Sequence, residues 1–131
     1  MRVFKNSWFR KFARKERIAD VTLCDAVSRA ERGLVDADLG GGLIKQRIAR
    51  PDSGRSGGYR SVIIFRRGTR AVFAFGYAKS AMDNLGAADE RDLKEAAKLL
   101  LAFSDAEIDR LVTLDELVEV ECHAESQSLP Q

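Results

Sequence analysis

Two short runs rich in β-branched and aromatic residues, Tyr59 to Phe65 and Ala71 to Tyr77, stand on either side of Arg66-Arg67-Gly68-Thr69. The intervening segment has the length and composition of a hairpin turn, so the runs are expected to pair as antiparallel strands. Side chains alternate along a strand, and Val62-Ile63-Ile64-Phe65 therefore puts apolar groups on both faces. Such a strand belongs in the middle of a sheet with cover on both sides for most of its length, and Arg60 emerges near its start.

Candidates for that cover lie before and after the hairpin. Trp8, Phe9 and Phe12 recur at helical spacing behind Asn6 or Ser7 as a cap, with Arg10, Lys11 and Arg14 facing away. Asp20 can cap a second helix carrying Leu23, Val27, Ala30 and Leu34, and Gly33 supplies its stop. Gly40-Gly41-Gly42 breaks the helical period. Ile44 and Ile48 then alternate with Lys45 and Arg47, so a strand here presents a basic pair on one face. Pro51 to Gly58, rich in Gly, Ser and Asp, reads as a mobile loop that carries Arg55. Downstream, Leu93, Ala97 and Leu100 form a helical stripe, and Ser104-x-x-Glu107 is a capping box ahead of Ile108, Leu111 and Val112. Leu117 to Val120 reads as a short edge strand. The expected class is α+β: a curved antiparallel sheet packed against N-terminal helices, with a helical, acidic C-terminal part. A length of 131 residues predicts one domain, placed at 1–121, with a frayed tail over 122–131.

Charge is divided unevenly along the chain. Residues 1–79 carry 18 Lys+Arg against 7 Asp+Glu, whereas residues 80–131 carry 4 against 13. Between 41 and 79 stand nine basic residues, Lys45, Arg47, Arg50, Arg55, Arg60, Arg66, Arg67, Arg70 and Lys79, against the single acid Asp52. Seven of these nine are arginine, whose planar fork suits phosphate, so the pattern points to a polyanion-binding face. Arg50, Arg55 and Arg67 are expected to bind RNA phosphates around that face beside Lys45 and Arg47. The competing reading is mutual neutralisation of the two halves, with Glu116, Glu119 and Glu121 lying over part of the basic surface.

Several function classes drop out. No run approaches the roughly 18 apolar residues that cross a bilayer, and the basic stretch Met1 to Lys15 lacks the apolar core of a secretory signal. No membrane association is expected, and the cytoplasm is the expected location. Cys24 and Cys122 lie far apart without metal-ligand spacing, so reduced thiols are expected. Neither glycine stretch leads into a Lys-Ser/Thr at a helix start or fits a dinucleotide fingerprint. The sole histidine, His123, has no second histidine for a metal site or triad and reads as an exposed bystander. Phe73, Phe75 and Tyr77, at period two, read as sheet core. No metal and no cofactor are expected. A basic constellation can still run phosphodiester transesterification in RNA: the 2′-OH attacks the adjacent phosphorus, and positively charged donors stabilise the developing phosphorane. A lysine of lowered pKa or an aligned arginine can assist the proton transfer.

Leu43-Ile44-Lys45-Gln46-Arg47, then Gly57-Gly58-Tyr59-Arg60 entering an apolar strand, then Phe75-Gly76-Tyr77-Ala78-Lys79 followed by Asp83-Asn84 resemble the RelE-like toxins of bacterial type II toxin–antitoxin systems, within the RelE/HigB/ParE superfamily. The resemblance spans roughly residues 1–121. It implies a toxin that works without a cofactor and cleaves messenger RNA in the ribosomal decoding site by 2′-OH attack, leaving a cyclic phosphate. Lys45 and Arg47 match the family's basic pair on the first strand, Arg60 the arginine after Gly-Tyr, and Lys79 a basic residue ending the third strand. These four are the catalytic candidates. Ser80 stands where relatives place an arginine, and no downstream catalytic tyrosine is matched, so the general acid is unassigned. The resemblance also implies an antitoxin partner with a helix-turn-helix domain, whose acidic segment would cover Lys45, Arg47 and Arg60. A toxin that poisons DNA gyrase, or a non-catalytic RNA- or ribosome-binding module, are the alternative functions.

Overall fold

The computed structural model describes residues 1–50, 54–80 and 84–122, and, within these, not the side chains of Arg50 and residues 54–57. The order of elements is β1 (Arg2–Asn6), α1 (Ser7–Glu16), α2 (Asp20–Glu31), β2 (Ala37–Gly40), β3 (Leu43–Arg50), β4 (Gly54–Arg66), β5 (Arg70–Ala78), α3 (Ala87–Ala102), α4 (Asp105–Thr113) and β6 (Leu117–Val120). The fold is α+β, and its six strands form one open sheet in the order β2-β3-β4-β5-β1-β6. The expected antiparallel meander is β3-β4-β5. The sheet as a whole is mixed, because β1 runs parallel to β5 and antiparallel to β6. Arg2-Val3-Phe4-Lys5-Asn6 shows no apolar–polar alternation, and it is a strand because it completes the sheet beside β5.

The doubly apolar β4 explains the layering. Tyr59 and Ile63 point to one face, where Phe9 and Ala13 of α1 and Leu23 and Val27 of α2 cover them. Val62 and Ile64 point to the other, under Ala97 and Leu101 of α3 and Ile108 of α4. Ile63, Ile64 and Val62 are fully buried, and each such side chain contributes roughly 1.5–3 kcal/mol relative to exposure. The ends of the helices follow the sequence signals. Asn6 accepts a hydrogen bond from the Phe9 amide at 2.8 Å, Gly33 takes φ +85 after α2, and Ser104 and Glu107 form a complete capping box.

Two expectations are corrected. The segment expected as a mobile loop, Pro51 to Gly58, contributes its residues 54–58 to β4, where Gly54 pairs with Arg50 beyond a register shift. Glycine is depleted in strands as an intrinsic preference, but strand propensity depends on context, and here pairing with the neighbouring strand outweighs it. Cys24 and Cys122 are joined as a disulfide rather than held as thiols, with Cα atoms 5.6 Å apart. Sequence spacing could not reveal this, because α2 and the end of β6 are brought together only by the sheet. His123, the rest of the tail and Asp83 lie outside the described residues, as do the side chains of Arg50 and Arg55. Among the described residues, no helix is long and apolar enough to cross a membrane.

Candidate functional site

Beyond the cover provided by α3 and α4, the same sheet face continues as a polar surface. On β3, Lys45 and Arg47 share this face with Leu43, while Ile44, Gln46 and Ile48 point toward α2. Gln46, between the two cations, is fully buried. Its Nε2 donates to the Ala26 and Leu34 carbonyls at 3.0 and 3.2 Å, and its Oε1 accepts from the Asp36 amide at 2.7 Å. The Arg47 backbone is held as well: its N–H donates to Asp36 Oδ2, and its carbonyl accepts from Arg29 Nη2, each at 2.7 Å. The motif Lys45-Gln46-Arg47 thus fastens the strand from behind and presents two cations in front.

Register then builds a row across three strands. Arg47 lies directly opposite Arg60, and Arg60 directly opposite Tyr77. Directly paired residues hold their Cβ atoms about 5 Å apart. Lys45 starts the adjacent row, opposite Val62 and then Phe75, and its Nζ lies 3.5 Å from Asn84 Oδ1. Among the described residues, no carboxylate lies within ion-pairing distance of the side chains of Lys45, Arg47 or Arg60.

Tyr77 joins the candidate residues although the sequence alone does not single it out. Phe73 and Tyr77 are buried as expected of sheet core, but they do not share a face: Val62 pairs with Phe75 and Ile63 with Phe73, which leaves Ala74 as an extra residue in β5. A one-residue bulge moves everything beyond it to the other face. Phe73 accordingly packs toward α1, and Phe75 and Tyr77 face the basic side. Tyr77 is 5% exposed. Its Oη and Arg60 Nη1 are both buried without a hydrogen-bond partner among the described residues. Burial raises the Tyr77 pKa above the ordinary phenol value, and the Arg60 charge only partly offsets this.

The remaining candidates separate. Lys79 is exposed in the turn that follows β5, two residues past Tyr77. Arg67 is exposed in the β4–β5 turn, seven strand positions from Arg60 and so about 20 Å away. Two arginines counted with the polyanion face instead serve α3. Arg66 Nη1 donates to the Leu101 carbonyl at 2.8 Å; Arg70 Nη1 donates to the carbonyls of Leu100 and Phe103 at 2.7 Å each, and its Nη2 pairs with Asp105 at 3.0 Å. Cations suit the negative end of a helix and satisfy its last carbonyls. Glu119 does not lie over the basic row: it binds Arg2 from Oε1 and Oε2 at 2.9 and 3.0 Å on β6, three strands away from β4. No group of His, Cys, Asp and Glu able to hold a metal occurs among the described residues.

The family described as the RelE toxin of the RelE/RelB toxin–antitoxin system matches residues 1–120. No curated protein matches the chain in sequence. With nearly the whole chain covered, the protein belongs to the RelE toxin family, and that family implies an antitoxin partner.

Proposed function

We propose that this member of the RelE toxin family is a metal-independent endoribonuclease of the cytoplasm that cleaves messenger RNA at the ribosome. The observation that carries this reading is the row Arg47, Arg60 and Tyr77 on one sheet face, in which Arg60 Nη1 and Tyr77 Oη are buried without a hydrogen-bond partner among the described residues. Two desolvated donors without an acceptor cost free energy unless something completes them, and the oxygens of a phosphodiester supply the missing acceptors.

In the proposed reaction the 2′-OH attacks the adjacent phosphorus and gives up its proton. The bond to the 5′-oxygen breaks, that oxygen takes a proton, and the products are a 2′,3′-cyclic phosphate and a 5′-hydroxyl. Arg47 and Arg60 stabilise the negative charge that builds on the non-bridging oxygens. Tyr77, held in its protonated form, donates a hydrogen bond to the same group. Lys45 and Lys79 flank the row as further cations, and Arg50, Arg55 and Arg67 contact phosphates away from the reacting one. The partner that silences the toxin is an antitoxin whose acidic segment covers Lys45, Arg47 and Arg60; charge complementarity speeds its association.

The test is induced expression followed by mapping of transcript 5′ ends, with and without a translation block. Cuts that require translation are the expected result. A DNA-damage response without cuts would identify a gyrase poison, and growth arrest with neither would identify a binding module.

A further inference from the structure

We propose that Trp8 is a stacking platform for a base of the RNA, an inference that rests on the RNA-cleaving reading of the basic row. Helix α1 turns Phe9 and Ala13 into the core and leaves Trp8 at its outer side, 43% exposed. It is the only aromatic among the exposed large hydrophobic side chains of the described residues. The indole is not loose. Its ring centroid lies 4.4 Å from that of Phe75 and 5.3 Å from that of Phe12, with interplanar angles of 30° and 21°. The start of the helix is pinned to the sheet, since Asn6 both caps α1 and donates from Nδ2 to the carbonyl of the bulged Ala74 at 3.1 Å.

The aromatic strip runs into the basic row. Phe75 lies 6.2 Å from Tyr77, ring to ring, and Tyr77 opposes Arg60. Charge selects the occupant. Lys11, one helical turn after Trp8, is exposed, as are Arg14 and Lys15, and none of the three has an ion-pair partner among the described residues. The one acid of α1, Glu16, accepts a hydrogen bond from the Tyr59 hydroxyl at 2.6 Å. A rigid aromatic surface interleaved with unpaired cations matches single-stranded RNA, whose bases stack while its phosphates meet the charges. An apolar peptide would leave those cations without counter-charge.

Trp8 is the chain's sole tryptophan, so its fluorescence reads the contact directly. The full-length protein is titrated with an uncleavable 2′-O-methyl hexanucleotide and with the same backbone carrying abasic sites. Indole quenching by the first and not by the second is expected. Trp8→Leu, which keeps apolar packing on Phe12 and Phe75, should weaken binding of the base-bearing strand about 10-fold or more and leave the abasic strand unaffected. Trp8→Phe should retain most of the affinity, and thermal melting checks that both variants fold. Salt-dependent binding by the native protein without quenching, or equal affinity of Trp8→Leu, overturns the platform and leaves the reading of the basic row standing. Loss of affinity for a purified antitoxin with RNA affinity intact would make Trp8 a protein contact and also overturn it. A native protein that binds neither strand overturns both readings.

Discussion

Arg60 and Tyr77 are directly opposed across β4 and β5, and each buries a polar atom that nothing among the described residues satisfies. By contrast, Gln46 and Arg70, also deeply placed, make three hydrogen bonds each. The contrast separates side chains that hold the fold from side chains left available to a ligand.

Arg60→Ala should abolish most toxicity while the protein stays folded. Removing one preorganised donor typically costs about 3 kcal/mol in the transition state, a hundredfold or more in rate. Arg67→Ala, altered about 20 Å away along the strand, should leave cleavage at saturating RNA unchanged and flatten the salt dependence of binding by at most about one unit. Cleavage assays on both variants, alongside unfolding curves, separate the two roles; full activity in a folded Arg60→Ala protein would refute the assignment.

Tyr77→Phe keeps the ring and removes the hydroxyl. Activity should fall, while stability at neutral pH should hold or rise, because an unsatisfied buried hydroxyl costs roughly 1–3 kcal/mol. The pH dependence has a definite sign. Burial raises the folded-state pKa of Tyr77 above the ordinary phenol value of about 10, so the unfolded chain ionises first and stability declines as pH rises past that value. Denaturation midpoints of the native protein should drop more steeply above pH 10 than those of Tyr77→Phe, while the two pH profiles run parallel between pH 6 and 9.

Alternation alone makes Lys45 and Arg47 legible as a pair on one face, because side-chain direction is local to a strand. That Arg60 faces Arg47, and Tyr77 faces Arg60, depends on register and on a bulge at Ala74, neither of which has a signature in Phe73-Ala74-Phe75-Gly76-Tyr77. Arg66 and Arg70 look like members of the polyanion face in sequence; only the position of the α3 C-terminus assigns them to it. The capping box at Ser104 and the edge strand Leu117–Val120 were readable because their determinants lie within a few residues. Strand β1 was not, since its reason for being a strand is a parallel neighbour nearly seventy positions away, with Arg2 facing Arg70.

Arg70→Met should behave in the opposite way to Arg60→Ala. Arg70 is 4% exposed and holds the Leu100 and Phe103 carbonyls, so its loss orphans acceptors at a cost of roughly 1–3 kcal/mol each. The urea midpoint should fall with an unchanged slope, and cleavage per folded molecule should be retained. A stable Arg70→Met protein with weakened RNA binding would return this residue to the polyanion face.

The Cys24–Cys122 bond should be a stabilising staple and not part of the site. It joins α2 to the residue after Glu121 across a separation of 98 residues, so nearly the whole sheet lies within the closed loop. Cross-links over long loops restrict the unfolded chain and typically contribute about 2–4 kcal/mol. Reductant should therefore lower the unfolding free energy of the native protein, read from its urea curve, by an amount in that range. The double variant Cys24→Ser, Cys122→Ser should match the reduced protein and show no further response to reductant. Cys24 packs with the cluster beneath α1 and α2, on the sheet face opposite Arg47, Arg60 and Tyr77, so cleavage per folded molecule should be the same in both redox forms. A native protein whose midpoint ignores reductant would show that the two thiols are not joined in solution. A double variant that unfolds normally yet loses cleavage would instead tie the bond to the site across the sheet.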